Sequence, residues 1–187
     1  MAKFTGWKKK YAYLDDYRKG MDGKYVYYGK HYVLHGDQDA LRTYKWILGI
    51  ADLLLIGLFI VSGLMDAGII WSTWYVVIPY ALEVIGVFVL VWKTGSLLLE
   101  KVPVKAYIYK RTVPWFRPAA LILAVVALLA LIGALICMLL NPDHVKTTGC
   151  VIYMLLQLLL TAVCAVFANM MKKYTWEPDP SEETDSI

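Results

Sequence analysis

Four long stretches of the chain carry almost no charge, and they decide what it can fold into. Between Arg117 and Asp143 lie 25 residues with none, and between Lys146 and Lys172 another 25. The 20 residues from Trp46 to Met65 carry one charge, Asp52, and the 26 between Asp66 and Lys93 carry only Glu83. A bilayer core about 30 Å thick is crossed by roughly 20 apolar residues in a helix. A helix is required there because a backbone in lipid must satisfy its own hydrogen bonds. The spacing predicts an all-α integral membrane protein with four spans, at about 45–65, 72–92, 118–140 and 149–171. Charged residues are 18% of the chain, against about 25% in soluble domains. That leaves too little polar surface for a soluble enzyme, and far too much apolar sequence for a disordered chain.

The cations give an orientation. Residues 1–45 carry ten Lys and Arg, the 93–117 connection six, and residues 172–187 two; the opposite side has only Lys146. By the positive-inside rule both termini and the middle loop are cytoplasmic. Topology thus accounts for the net charge of +4, and nucleic acid is not implied. No short apolar run with a cleavage site opens the chain, so the first span is expected to insert as an uncleaved anchor in the cell membrane. The spans pair as two antiparallel hairpins. Gly68 lies in one outer turn, and Asn141-Pro142-Asp143 ends the third span because Pro cannot continue the helix ladder. Small residues in span three (Ala120, Ala124, Ala127, Ala130, Ala134) and span four (Ala162, Ala165, Ala168) fit close helix packing.

Outside the spans the chain divides into a cytoplasmic N-terminal segment, 1–42, and a tail, 174–187, flanking the membrane domain at 43–173. Phe4, Trp7, Tyr11 and Leu14 recur at helical spacing beside Lys8, Lys9 and Lys10, the pattern of a helix lying on an anionic leaflet. Lys24–Tyr28 and His31–Leu34 are β-prone runs around Gly29-Lys30 and predict a hairpin. A lone hairpin is marginal in water, and Val104–Tyr109 offers a third strand. Asp37 or Asp39 suits the cap of the helix leading into span one. Beyond Trp176 the tail is acidic, with two prolines, and is expected to be disordered.

Asp52 and Glu83 carry the chemistry. A carboxylate at the centre of a span costs about 2.5–3.5 kcal/mol on insertion scales, so such groups usually face the bundle interior. At 1.5 Å per residue they lie roughly 10 and 15 Å above the inner boundary, counted from Lys45 and Lys93. Their mean position, 67.5, coincides with the turn. Adjacent antiparallel helices would bring them to similar depth. Two close carboxylates cannot both ionise cheaply, so a shared site would hold a proton or bind a cation. Gln157 and Thr161 in span four could complete it.

Cys137 and Cys150 flank the second outer turn symmetrically, which permits a disulfide in an oxidising compartment. No Cys-x-x-Cys is present, and His31, His35 and Asp37 resemble a metal cluster too loosely to imply one. No phosphate loop, dinucleotide glycine pattern, zincin motif or nucleophile elbow appears. No cofactor is implied. Two functions fit: a non-enzymatic accessory or assembly subunit with a protein partner or a second copy, and a small proton- or cation-coupled transporter or channel using Asp52 and Glu83.

Overall fold

A computed structural model describes residues 16–19, 23–35, 38–100 and 103–179. Four helices carry the fold: α1 (Gln38–Gly63), α2 (Trp74–Leu98), α3 (Ala106–Leu140) and α4 (Thr147–Met170). Each is long and apolar enough to cross a membrane. They pack as two hairpins in a ring, α3 lying most closely against α2 and α4, and α1 more lightly on α2 and α4. Leu53, Phe88, Leu139 and Leu155 stand exposed around the outside, as lipid-facing side chains should. The four spans are thus where the uncharged stretches put them.

The inward seams repeat at three- and four-residue spacing. On α3 the seam is made of small residues. Ala120, Ala127, Ala130 and Ala134 are fully buried, and a Cβ on Gly133 would come within 2.6 Å of the Tyr75 carbonyl oxygen. Backbones approach closely only where side chains are this small. Ala124 is half-buried; in α4 only Ala168 is buried, while Ala162 faces outward.

One boundary is corrected. The middle connection is not 93–117, since α2 runs to Leu98 and α3 starts at Ala106. Lys110, Arg111 and Arg117 ride the exposed side of α3 and do not interrupt it. Pro114 and Pro118 are both taken into the helix near its start.

Five short strands lie at the end of the bundle where α1 begins. β1 (Tyr17–Lys19) and β2 (Tyr25–Tyr27) form an antiparallel hairpin. β3 (His31–Leu34) lies between β4 (Val104–Lys105) and β5 (Trp176–Pro178), antiparallel to both. An N-terminal hairpin exists, then, but the expected pairing of 24–28 with 31–34 is not made. At 28–30 the chain crosses from one sheet to the other: the Tyr28 amide donates to Asp16 and the Lys30 carbonyl accepts from Ala106. The third strand from the middle connection is present as β4.

The start of the tail is a second correction. Residues 176–178 form β5, because β3 offers an open ladder and Tyr174 and Trp176 pack their rings against Tyr44, at 4.8 and 5.7 Å between centroids. The rest of the tail from residue 180 lies outside the described residues. So does the surface-helix segment containing Phe4, Trp7, Lys8, Lys9, Lys10 and Tyr11.

The two ends of the bundle are tied differently. The sheet of β3, β4 and β5 joins three separate chain segments. Below it, Lys45 donates to the carbonyls of Leu98 and Glu100 at 3.4 and 3.0 Å, capping α2 as a cation at a helix C-terminus does. At the other end the two turns are clasped together. Gly68 bridges Val145, the Lys146 ammonium pairs with the Asp66 carboxylate, and a Cβ on Gly149 would come within 2.1 Å of the Asp66 carbonyl oxygen.

Candidate functional site

The buried face of α2 runs Val76, Glu83, Val87, Leu90, Thr94, Leu97, and that of α4 runs Cys150, Tyr153, Gln157, Leu160, Cys164, Phe167. These are the steps of a coiled-coil seam, and each seam places a polar side chain where a leucine would serve. Glu83 and Gln157 are both 0% exposed. They meet: Gln157 Nε2 donates to Glu83 Oε2 at 3.1 Å.

The pair is not satisfied by that one bond. Glu83 Oε1, Gln157 Oε1 and the Tyr153 hydroxyl are all buried without a partner. Tyr153 sits one turn above Gln157 on the same face of α4. An unsatisfied buried polar group typically costs about 1–3 kcal/mol, so three oxygens collected at one level of the bundle call for an explanation.

An aromatic layer closes the site on the turn side. The connection between α1 and α2 contains a 3₁₀ turn, Ile69–Ser72. It sends the Trp71 ring back into the bundle, edge-on to Tyr80 at 5.0 Å and Tyr153 at 5.4 Å. The Trp71 indole N–H donates to the Met65 carbonyl at 2.9 Å, and the Tyr80 hydroxyl to that of Phe59 at 3.2 Å. On the other side lie Leu160, Leu90 and Leu123, all buried.

Asp52 is not part of this cluster. It is 7% exposed, and its hydrogen-bond partner is Thr94. Thr94 lies eleven positions after Glu83 on α2, roughly 16 Å along the axis. The shared pocket expected from the turn symmetry is therefore not formed. Thr94 also donates to the Leu90 carbonyl at 3.0 Å. Its single proton is claimed twice, and Asp52 Oδ1 has no partner at all. Thr161 touches the site only indirectly, its hydroxyl donating to the Gln157 backbone carbonyl at 2.9 Å.

Of the four residues expected to form one site, two meet directly. Tyr153 and Trp71 were not anticipated, although Tyr153 precedes Gln157 by four and so shares its helix face. Cys137 and Cys150 are buried free thiols, so the disulfide permitted by their placement is not made. Cys150 Sγ faces the Ala134 carbonyl at 3.9 Å and Cys137 Sγ receives the Thr73 hydroxyl at 3.8 Å. Among the described residues no group of three His, Cys, Asp or Glu is placed to hold a metal ion.

Chemically the cluster offers one ionisable carboxyl, an amide that can both donate and accept, and a hydroxyl, in a dry setting. That set suits reversible binding of a small cation or proton. No family model matches the chain, and neither a curated protein nor a solved structure is similar to it.

Proposed function

We propose that this four-span membrane protein is a small non-enzymatic proton- or cation-coupled transporter or channel. Glu83 is its ion-binding group and Gln157 holds it in place. The single observation that carries this reading is the set of three unpartnered buried oxygens around Glu83. Intramembrane carboxyls are costly and mark ion pathways more often than they serve packing. Asp52 belongs to a different level and plays at most a separate part. The protein sits in the cell membrane with both termini in the cytoplasm, a proposal supported by the cation count at the sheet end.

Reconstitution into vesicles with an internal pH dye tests this reading. Wild type is expected to respond to an imposed pH or cation gradient. Glu83→Gln should abolish the response, and Asp52→Asn should retain most of it. A response unchanged in Glu83→Gln would remove Glu83 from the function.

A second reading, an accessory or assembly subunit, is supported by the extramembrane hairpin. Tyr25 and Tyr28 stand 73% and 66% exposed beside Val26 on a two-stranded ribbon, and ribbons of that size gain stability from a partner or surface. Native purification with mass determination separates the two: a defined complex with other chains favours the subunit.

A further inference from the structure

With Glu83 taken as the ion-binding group proposed above, the surroundings of its carboxyl distinguish a proton from a metal ion. A bare carboxylate here would be a buried negative charge with nothing to offset it. The titratable groups facing it are Tyr80 on its own helix and Tyr153 and Cys164 on α4, all of which interact with it electrostatically. Each is either neutral or, if ionised, negative. From α1 the nearest polar group is Ser62, beside Tyr80, and its hydroxyl is already given to the Phe59 carbonyl at 2.8 Å. The buried face of α3 carries Ala127 and Ala130. Neutralisation must therefore come from what binds.

Hard metal cations take about six or more oxygen ligands. Three oxygens are free here, and the helical carbonyls around them are spent on their own ladders. A proton needs only one donor and one acceptor. Glu83 and Gln157 are already joined by one N–H···O bond, which leaves one oxygen of each without a partner. A single hydrogen on Glu83 Oε1, directed at Gln157 Oε1, closes the ring of a carboxylic acid–amide pair and satisfies both.

We propose that the occupant is a proton, and that Glu83 is a neutral carboxylic acid at neutral pH, paired in this two-bond ring with Gln157. When the proton leaves, the Tyr153 hydroxyl is the donor at hand for the carboxylate. Site and substrate class follow together: the bundle takes up hydrogen ion and discriminates against sodium, potassium and magnesium by having too few ligands.

Two measurements on the full-length protein in lipid test this. Dicyclohexylcarbodiimide attaches only to neutral buried carboxyls, and mass spectrometry locates the adduct. Glu83 should be labelled, progressively less as pH rises, with no protection by saturating NaCl, KCl or MgCl2 at fixed pH. Protection by one of these cations would replace the proton by that metal and leave the ion-coupling reading standing. Infrared difference spectra between wild type and Glu83→Gln supply the second readout, which does not depend on reagent access. A neutral carboxyl C=O band should be present at pH 7 and decline as pH rises. Its absence at pH 7 would overturn the proton assignment. A band indifferent to pH, with no labelling at any pH, would make Glu83 a permanent structural acid and sink both this inference and the ion-coupling reading.

Discussion

Two carboxyl groups lie inside this bundle, and the helices treat them differently. Glu83 lies between α2 and α4, in the closely packed part of the ring, opposite an amide that complements both of its oxygens. Asp52 lies where the more lightly packed α1 meets α2, opposite a threonine whose one proton is already engaged by Leu90. Thr94 follows directly on Trp92 and Lys93, the residues expected at the membrane boundary. Asp52 is thus within reach of headgroups and water, whereas Glu83 is roughly 16 Å further in along α2 beneath an aromatic layer. Burial alone therefore does not make a site. What distinguishes Glu83 is a partner with the right number of donors and acceptors, at a depth where no solvent can substitute for it.

The largest expected effect comes from removing those partners one at a time. Gln157→Leu strands the Glu83 carboxyl in a dry seam and should cost about 1–3 kcal/mol, the usual range for an orphaned buried polar group. Thr94→Val does the same on paper to Asp52. Its cost should fall below about 1 kcal/mol, because a carboxyl near the boundary can recruit water. Unfolding midpoints of the two variants in the same detergent check this. Equal losses would show that depth does not separate the two sites.

This contrast was only partly legible in the sequence. The four spans follow from charge positions, which is the strongest constraint a bilayer imposes. Glu83 and Gln157 stand out as polar residues in apolar runs, and their shared level is a matter of helix rise. The depth of Asp52 was not legible, because it was measured from a turn assumed symmetric. The tip of Tyr80 reaches Phe59, near the end of α1, although Tyr80 is already the seventh residue of α2. Lys45 likewise reaches down to Leu98 and Glu100, so Lys45 and Lys93 do not mark one plane. The strand pairings were illegible for another reason. His31–Leu34 has the composition of a strand, but its partners lie some 70 and 145 residues away, and composition does not name a partner at that distance.

A smaller effect sharpens the comparison within the Glu83 level. Tyr153→Phe deletes a buried hydroxyl that has no partner, so the folded protein should lose almost nothing in thermal stability. If Tyr153 supplies the donor that receives the carboxylate, the same change should move the pH dependence of carbodiimide labelling at Glu83. Removing a donor to the charged form makes that form harder to reach, so labelling should persist to higher pH. An unmoved profile would exclude Tyr153 from the site and leave the Glu83–Gln157 pair alone.

The smallest expected effect concerns the clasp between the two outer turns, and it should be felt on one side of the comparison only. Trp71 covers the Glu83 level from a connection that Asp66 ties to Lys146. The hydrogen bond from Lys146 holds the Asp66 carboxyl below its usual range. A group with a depressed folded-state value contributes its stabilisation above its ordinary value and loses it as pH falls through the folded one. The clasp is therefore complete at neutral pH and fails in acid, below the ordinary aspartate value of about 3.9. Both partners are largely exposed, so the effect is modest and weakens with salt. Asp66→Asn should speed amide exchange in residues 66–68 and 144–149 at pH 7, and raise carbodiimide access to Glu83 slightly while leaving access to Asp52 unchanged. The difference in exchange between wild type and variant should close as pH falls through the clasp's titration. A difference that persists in acid would mean that the turns are held by Gly68, Val145 and Gly149 packing, with the ion pair merely resting on top. Increased access at both carboxyls would mean that the two levels are not insulated from one another, and the distinction between a covered inner site and a boundary carboxyl would have to be given up.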